Sequence, residues 1–273
     1  MPYFTTSDGT QIYYTDQGSG RPVIFSHGWP LSSDAWQLEL KVVTDAGFRA
    51  IAHDRRGHGR SMQTSTGNDI ETYARDLGEL ATALDLQDAV AVGHSTGGGE
   101  AVRFAAKYAD GRVRKVFTAG AIPPIMVKSE ANPEGTPIEA FDQIRASILA
   151  DRSQFWFELA LPFYGFNRPG VAESKGLVYD FWRQSQMAGL TAAYECVKAF
   201  SETDLTEDLK MLAVPIFIAH GTEDQIVPIH DAARKAITLV RDGTLKEYEG
   251  ASHGIWGEYQ KELDEDLLRF IRD

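Results

Sequence analysis

Gly93-His94-Ser95-Thr96-Gly97 sets a serine between two glycines. It follows the apolar run Ala89-Val90-Ala91-Val92 and precedes Gly98-Gly99-Glu100-Ala101-Val102, which can continue as a helix. On a sharp strand-to-helix turn a serine hydroxyl stands clear of the backbone, and flanking glycines let strand and helix close around the strained position. The five-residue pattern is weak by itself because short patterns recur by chance. Its setting gives it weight. A serine hydroxyl attacks poorly until a base takes its proton, and the base needs an acceptor that fixes its tautomer. For this kind of turn the chain order is serine, acid, histidine.

His253, in the loop Gly250-Ala251-Ser252-His253-Gly254 after the last expected strand, is the base this order selects over His230, which follows Pro228 at a helix start. The acid should leave the end of the preceding strand, where catalytic groups of parallel sheets collect. Gly221-Thr222-Glu223-Asp224-Gln225 supplies Asp224, preferred over its neighbour Glu223 and over Asp204, Asp208 and Asp231, with Asp204 and Asp208 read as solvated caps. A tetrahedral intermediate also needs preorganised donors for its oxyanion. One is the backbone N–H of Thr96. Because Pro30 has no N–H, the second is assigned to Trp29 in His27-Gly28-Trp29-Pro30, held extended by the proline that follows it. The Trp29 indole is also expected to wall the pocket.

The remaining histidines read as structural: His27 and His94 orient loops, while His53, His58 and His220 lie at strand ends or in loops. None of the seven has zinc-site spacing. Gly97-Gly98-Gly99 lacks the spacing of a dinucleotide fingerprint, and no Walker-type loop is present. No cofactor and no metal are expected. Arg55, Arg56 and Arg60 read as donors pinning the turn Asp54-Arg55-Arg56-Gly57-His58-Gly59-Arg60-Ser61.

Strands at 3–7 and 10–16, joined by Asp8-Gly9, read as a hairpin. Further strands are expected at 22–26, 49–53, 88–93 and 112–119, with helices near 34–46, 69–84 and from the elbow to about 109. Strands alternating with helices imply an α/β protein with a mostly parallel sheet. The alternation lapses over 123–206, a helical and aromatic stretch containing Phe155, Trp156, Phe157, Phe163, Tyr164, Phe166, Phe181 and Trp182. An inserted layer needs its own core, yet aromatics also dominate ligand pockets; Phe157 and Phe163 are the expected substrate contacts, together with Trp29 and Pro30. A strand at 214–219, a helix around 230–240, a strand at 245–248 and a helix at 257–271 follow. The division is thus a core of residues 1–122 and 207–273 with a helical cap of 123–206.

The net charge of −12 argues against nucleic acid or an anionic membrane surface as partner, since both require clustered Lys and Arg. A small-molecule ligand fits better. The single cysteine, Cys196, reads as a buried thiol. No signal peptide and no membrane span are visible, so a cytoplasmic protein is expected.

With these residues assembled, the chain resembles the α/β-hydrolase superfamily over almost its full length and, more narrowly, the cofactor-free bacterial haloperoxidases and related aryl esterases. The resemblance rests on His27-Gly28-Trp29-Pro30, the Asp54–Ser61 turn, Gly93-His94-Ser95-Thr96-Gly97-Gly98-Gly99-Glu100, the stretch from Gly221 to Pro228, and Ser252-His253-Gly254. It implies an eight-stranded, mostly parallel sheet with a helical cap after the sixth strand, and frequently a homo-oligomer. It also implies an acyl-enzyme formed from a small carboxylic ester or acid. Water then gives hydrolysis, and hydrogen peroxide gives a peracid that oxidises halide outside the site. A proline at the position of Pro30 is associated with perhydrolysis in that family. Two competing readings are a cofactor-free oxygenase using the His253 and Asp224 pair, distinguished by oxygen uptake without peroxide, and a non-catalytic ligand-binding protein, distinguished by absence of turnover.

Overall fold

The computed structural model describes residues 2–273. One sheet is built from β1 (Tyr3–Thr5), β2 (Gln11–Gly18), β3 (Pro22–Ser26), β4 (Arg49–His53), β5 (Ala89–His94), β6 (Val113–Ala119), β7 (Ile216–Gly221) and β8 (Gly243–Tyr248). Its spatial order is β1-β2-β4-β3-β5-β6-β7-β8. β1 and β2 pair antiparallel, β2 runs antiparallel to β4, and all other neighbours are parallel.

The central strands are apolar because helices cover both faces; every residue of β3 and β5 is buried. Side chains alternate across the sheet. Val23 and Phe25 therefore join Leu40 of α1 (Gln37–Asp45) and Leu263, Leu267 and Ile271 of α9 (Trp256–Arg272). Ile24, between them, joins Leu77 and Leu80 of α2 (Ile70–Ala83) and Val102 of α3 (Thr96–Arg103) on the opposite face. Each such fully buried aliphatic contributes about 1.5–3 kcal/mol. Asp69 starts α2 by accepting the Thr72 N–H at 2.8 Å. The edge strand β8 is half-exposed and carries Lys246 and Glu247, charges that discourage edge pairing.

Between β6 and β7 the chain leaves the sheet for α4 (Ile138–Phe163), α5 (Lys175–Gln186), α6 (Leu190–Glu202) and α7 (Thr206–Met211). Helix α4 is broken at Asp151, whose φ of −157° and ψ of 87° are not helical. The Asp151 carboxylate accepts the Gln154 N–H at 3.0 Å and so caps the second half. The helix expected around 230–240 contracts to α8 (Ala233–Ala236), after which tighter turns take over, with Thr238 N–H on Lys235 O at 3.1 Å and Leu239 N–H on Ala236 O at 3.0 Å. Among the described residues no helix is long and apolar enough to cross a membrane.

Candidate active site

Ser95 follows β5 and directly precedes α3, with φ 54° and ψ −121°. Its amide donates to Ala119 O at 3.0 Å and its carbonyl accepts from Gly98 N at 2.9 Å, so the strained residue is held on both sides. A Cβ on Gly93 would collide with the Gly97 carbonyl, and one on Gly97 would lie 2.6 Å from His27 O. Both glycines are thus required by close backbone approach. Thr96 opens α3, where amides have no intrahelical acceptor and the helix dipole is positive. Neither the Thr96 nor the Trp29 amide donates to a backbone carbonyl among the described residues.

Trp29 is held by its indole N–H, which donates to Ala193 O at 3.0 Å in α6. The Trp29–Pro30 peptide is cis. The loop carrying Trp29 is anchored from below by a buried network. Arg55 Nη2 donates to His27 O at 2.6 Å and Arg55 Nε to Glu100 Oε2 at 2.8 Å, while His53 Nε2 meets Glu100 Oε1 at 2.9 Å. Because Arg55 N donates to His27 Nε2 at 3.0 Å, the His27 proton sits on Nδ1, which donates to Gly28 O at 2.8 Å. Burial, reinforced by the Arg55 charge, keeps the His27 imidazole neutral, with its pKa well below the ordinary histidine value. Arg55 therefore reaches well beyond its own turn. Arg56 does too, pairing with Asp76 at 2.6 Å and Asp8 at 2.9 Å, and Arg60 joins Asp54 of its own turn at 2.8 Å to the distant Asp34 at 2.7 Å.

His253 Nδ1 lies 2.7 Å from Asp224 Oδ2. A carboxylate accepts, so Nδ1 carries the proton and Nε2 is left as the basic nitrogen. Nε2 is buried with no partner among the described residues, and Ser95 does not hydrogen-bond it here. Contacts of this kind are often long without substrate and tighten when it binds. The two groups share neighbours. The His94 ring lies tilted, 4.6 Å from that of His253, and Phe163 stands edge-on to His253 at 4.9 Å while lining a cavity with Ser95. His94 Nε2 also donates to His253 O at 3.3 Å.

Asp224 is buried and its neighbour Glu223 exposed, so the tertiary structure separates two carboxylates that sequence left adjacent. Asp224 Oδ1 accepts from Ile226 N at 2.9 Å and Val227 N at 2.8 Å. Burial alone would raise this carboxyl. The His253 charge and hydrogen bonds from His220 and His253 outweigh it and hold the pKa well below the usual carboxylate range. His230 is exposed and paired with Asp231. Asp208 is not a solvated cap: it is buried against Arg103 at 2.8 Å and Lys107 at 3.2 Å.

The cavity over Ser95 has a volume of about 230 Å³. Trp29, Ile122 and Val227 line it from the sheet edge, and Phe141, Leu159 and Phe200 from the inserted helices. Phe163 lines it as expected, but Phe157 and Pro30 do not. Phe157 packs away from the cavity, 5.9 Å from the Tyr179 ring, and Pro30 is buried behind Trp29. Phe141 and Leu159 are eighteen residues apart, a whole number of helical turns, and share the inward face of α4, whereas Phe157, two residues before Leu159, lies about 200° away round the helix. Phe141 and Phe200 carry no sequence signal that separates them from the other aromatics, and His220, at a strand end as its sequence suggests, also faces Asp224. Its only sequence signal is its place four residues before the acid.

Residues 21–256 match the alpha/beta hydrolase fold family. The chain is 52% identical to a non-heme chloroperoxidase of Streptomyces lividans, over 100% of both chains. It is 47% identical to a bifunctional esterase/perhydrolase of Acinetobacter calcoaceticus, again over 100% of both. The crystal structure of a bromoperoxidase from Bacillus anthracis superposes with a TM-score of 0.92 at 34% identity, covering 97% of this chain and 96% of that one. Its sheet order, the turn at Ser95 and these full-length similarities make the chain an enzyme of the α/β-hydrolase fold family, within its non-heme haloperoxidase group.

Proposed function

We propose that the protein is a serine hydrolase that cleaves small carboxylic esters, aryl esters among them, through an acyl-enzyme and transfers the acyl group to water or to hydrogen peroxide. The observation that carries this reading is the His253 tautomer, with Nδ1–H on Asp224 and a partnerless Nε2 beside the cavity that holds Ser95. In the first half-reaction Ser95 Oγ attacks the ester carbonyl and His253 Nε2 takes the hydroxyl proton. The carbonyl electron pair moves onto oxygen, where the Trp29 and Thr96 amides donate to it. Collapse expels the alcohol, which leaves with the proton from His253. Water, deprotonated by the same nitrogen, then attacks the acyl carbon, and the acid departs as the acyl–Oγ bond breaks and His253 returns the proton to Ser95 Oγ. Hydrogen peroxide in place of water releases a peracid, which oxidises halide in solution. No step requires a metal or cofactor.

The names of the relatives from Streptomyces lividans and Acinetobacter calcoaceticus support both outcomes for the acyl group. In this reading residues 123–206 act as a cap over a core of 1–122 and 207–273, supported by the cavity lined from both parts. A cytoplasmic site of action agrees with a lone, buried cysteine.

Ser95→Ala is the test. Turnover of p-nitrophenyl acetate, and peracid formation from acetate and peroxide, should both fall by at least roughly 10³-fold. Retained turnover in the folded variant would overturn the assignment of the nucleophile.

A further inference from the structure

His220, the penultimate residue of β7, has a fully buried side chain. Its Nε2 stands 2.8 Å from Val227 O and 3.3 Å from Asp224 Oδ2. A carbonyl oxygen can only accept, so Nε2 carries a proton, committed to Val227 and presenting its positive edge to the carboxylate. The Val227 N–H in turn donates to Asp224 Oδ1 at 2.8 Å. Imidazole, peptide and carboxylate thus form a closed ring in which His220 holds the loop that holds the acid. Removing the ring nitrogen would leave the Val227 carbonyl without this donor and Oδ2 with His253 alone.

We infer that His220 is a positioning residue, clamping the Asp224 loop through Val227 and sharing the carboxylate oxygen that faces His253. This rests on the reading of Asp224 and His253 as the pair that serves Ser95. The titratable groups that face the pair come from β5 and β8. His94, at the end of β5, is kept neutral by burial and by the adjacent His253, with its pKa well below the ordinary histidine value. Glu247, opposite His220 on β8, is paired with Arg234 of α8 at 2.7 Å. From α4 the ring of Phe163 faces His253 and carries no charge.

The sign follows. With His220 in place, part of the Asp224 charge is met by the His220 N–H. Without it, that charge falls wholly on His253 and favours its protonated form. In His220→Leu the acid limb of the kcat/KM profile for p-nitrophenyl acetate should move to higher pH by about half a unit, and kcat should fall about tenfold with KM nearly unchanged. His220→Gln, which keeps a donor at the same reach, should restore the limb and most of kcat. Rates are divided by the active sites counted with a serine-directed phosphonate, which removes any loss from misfolding. If His220→Leu does not fold, His220→Asn, whose shorter amide cannot reach Val227, replaces it against His220→Gln. A limb that stays at the wild-type position in these variants would overturn the proposal. Asp224→Asn, run in parallel, separates the failures: wild-type turnover there sinks the underlying triad, whereas its loss beside an unmoved His220→Leu limb sinks only the role of His220.

Discussion

Ser95 adopts φ 54° and ψ −121°, a conformation that costs a non-glycine residue about 1–3 kcal/mol and persists only where its surroundings enforce it. Here the enforcement is steric as well as hydrogen-bonded. Gly97 sits against the Ser26 and His27 carbonyls, in the segment that leads to the Trp29 amide. Both obstacles are backbone atoms, so neither can rotate away. Gly97→Ala should therefore push the turn and the Trp29 loop apart, lowering stability by about 1–3 kcal/mol and activity at least tenfold. Chemical denaturation and p-nitrophenyl acetate turnover measure the two effects. Wild-type values in both would overturn the close approach of Gly97 to the Ser26 and His27 carbonyls as a determinant of the site.

At the scale of elements, α1 and α9 cover one face of the sheet and meet through a buried polar contact. Gln260 Nε2 of α9 donates to Glu39 Oε1 of α1 at 2.7 Å. Burial pushes the Glu39 carboxyl up to about 7, only partly offset by that hydrogen bond. A folded pKa above the unfolded value means that the folded chain holds the proton more tightly. The contribution of Glu39 is most favourable below the ordinary carboxylate range and declines as pH rises towards 7; above that an ionised carboxylate is buried. Glu39→Gln should raise the Tm, and the gain at pH 8 should exceed the gain at pH 5 by about 2–3 kcal/mol in unfolding free energy. An equal gain at both pH values would contradict a raised carboxyl at this position.

At the scale of the whole molecule, substrate space lies between sheet edge and inserted helices, so neither part alone sets the size of the acyl group. Leu159 lines this space from α4 yet is only half-buried, which makes it a probe of size with limited damage to the core. Leu159→Ala should raise kcat/KM for p-nitrophenyl butyrate relative to the acetate by about tenfold, the scale expected for added methylenes in an apolar pocket. Its stability should fall by less than the about 2–5 kcal/mol typical of fully buried leucines. An unchanged ester ratio would place the acyl group outside this cavity.

Much of this protein is written locally. The strand-turn-helix around Ser95, the hairpin at Asp8-Gly9, the alternation of strands and helices, and the loops bearing Asp224 and His253 each depend on residues close in sequence, because turn chemistry and periodicity act over a few residues. Other features depend on which surfaces meet. Asp224 rather than Glu223 turns inward because the Ile226 and Val227 amides and two imidazoles await it. Asp208 is buried because Arg103 and Lys107, distant in sequence, come to it. Helical period sets Phe141 and Leu159 on one face of α4 and Phe157 on another, but the face that meets the cavity is chosen by the sheet edge it packs over. The sequence alone determined the fold, Ser95 and His253 as the proposed nucleophile and base, and the loop that bears the acid, since those follow from local geometry and chain order. Only the tertiary structure decided the pocket wall, the Arg55–Glu100 support and the place of His220, since packing between remote segments aims those side chains.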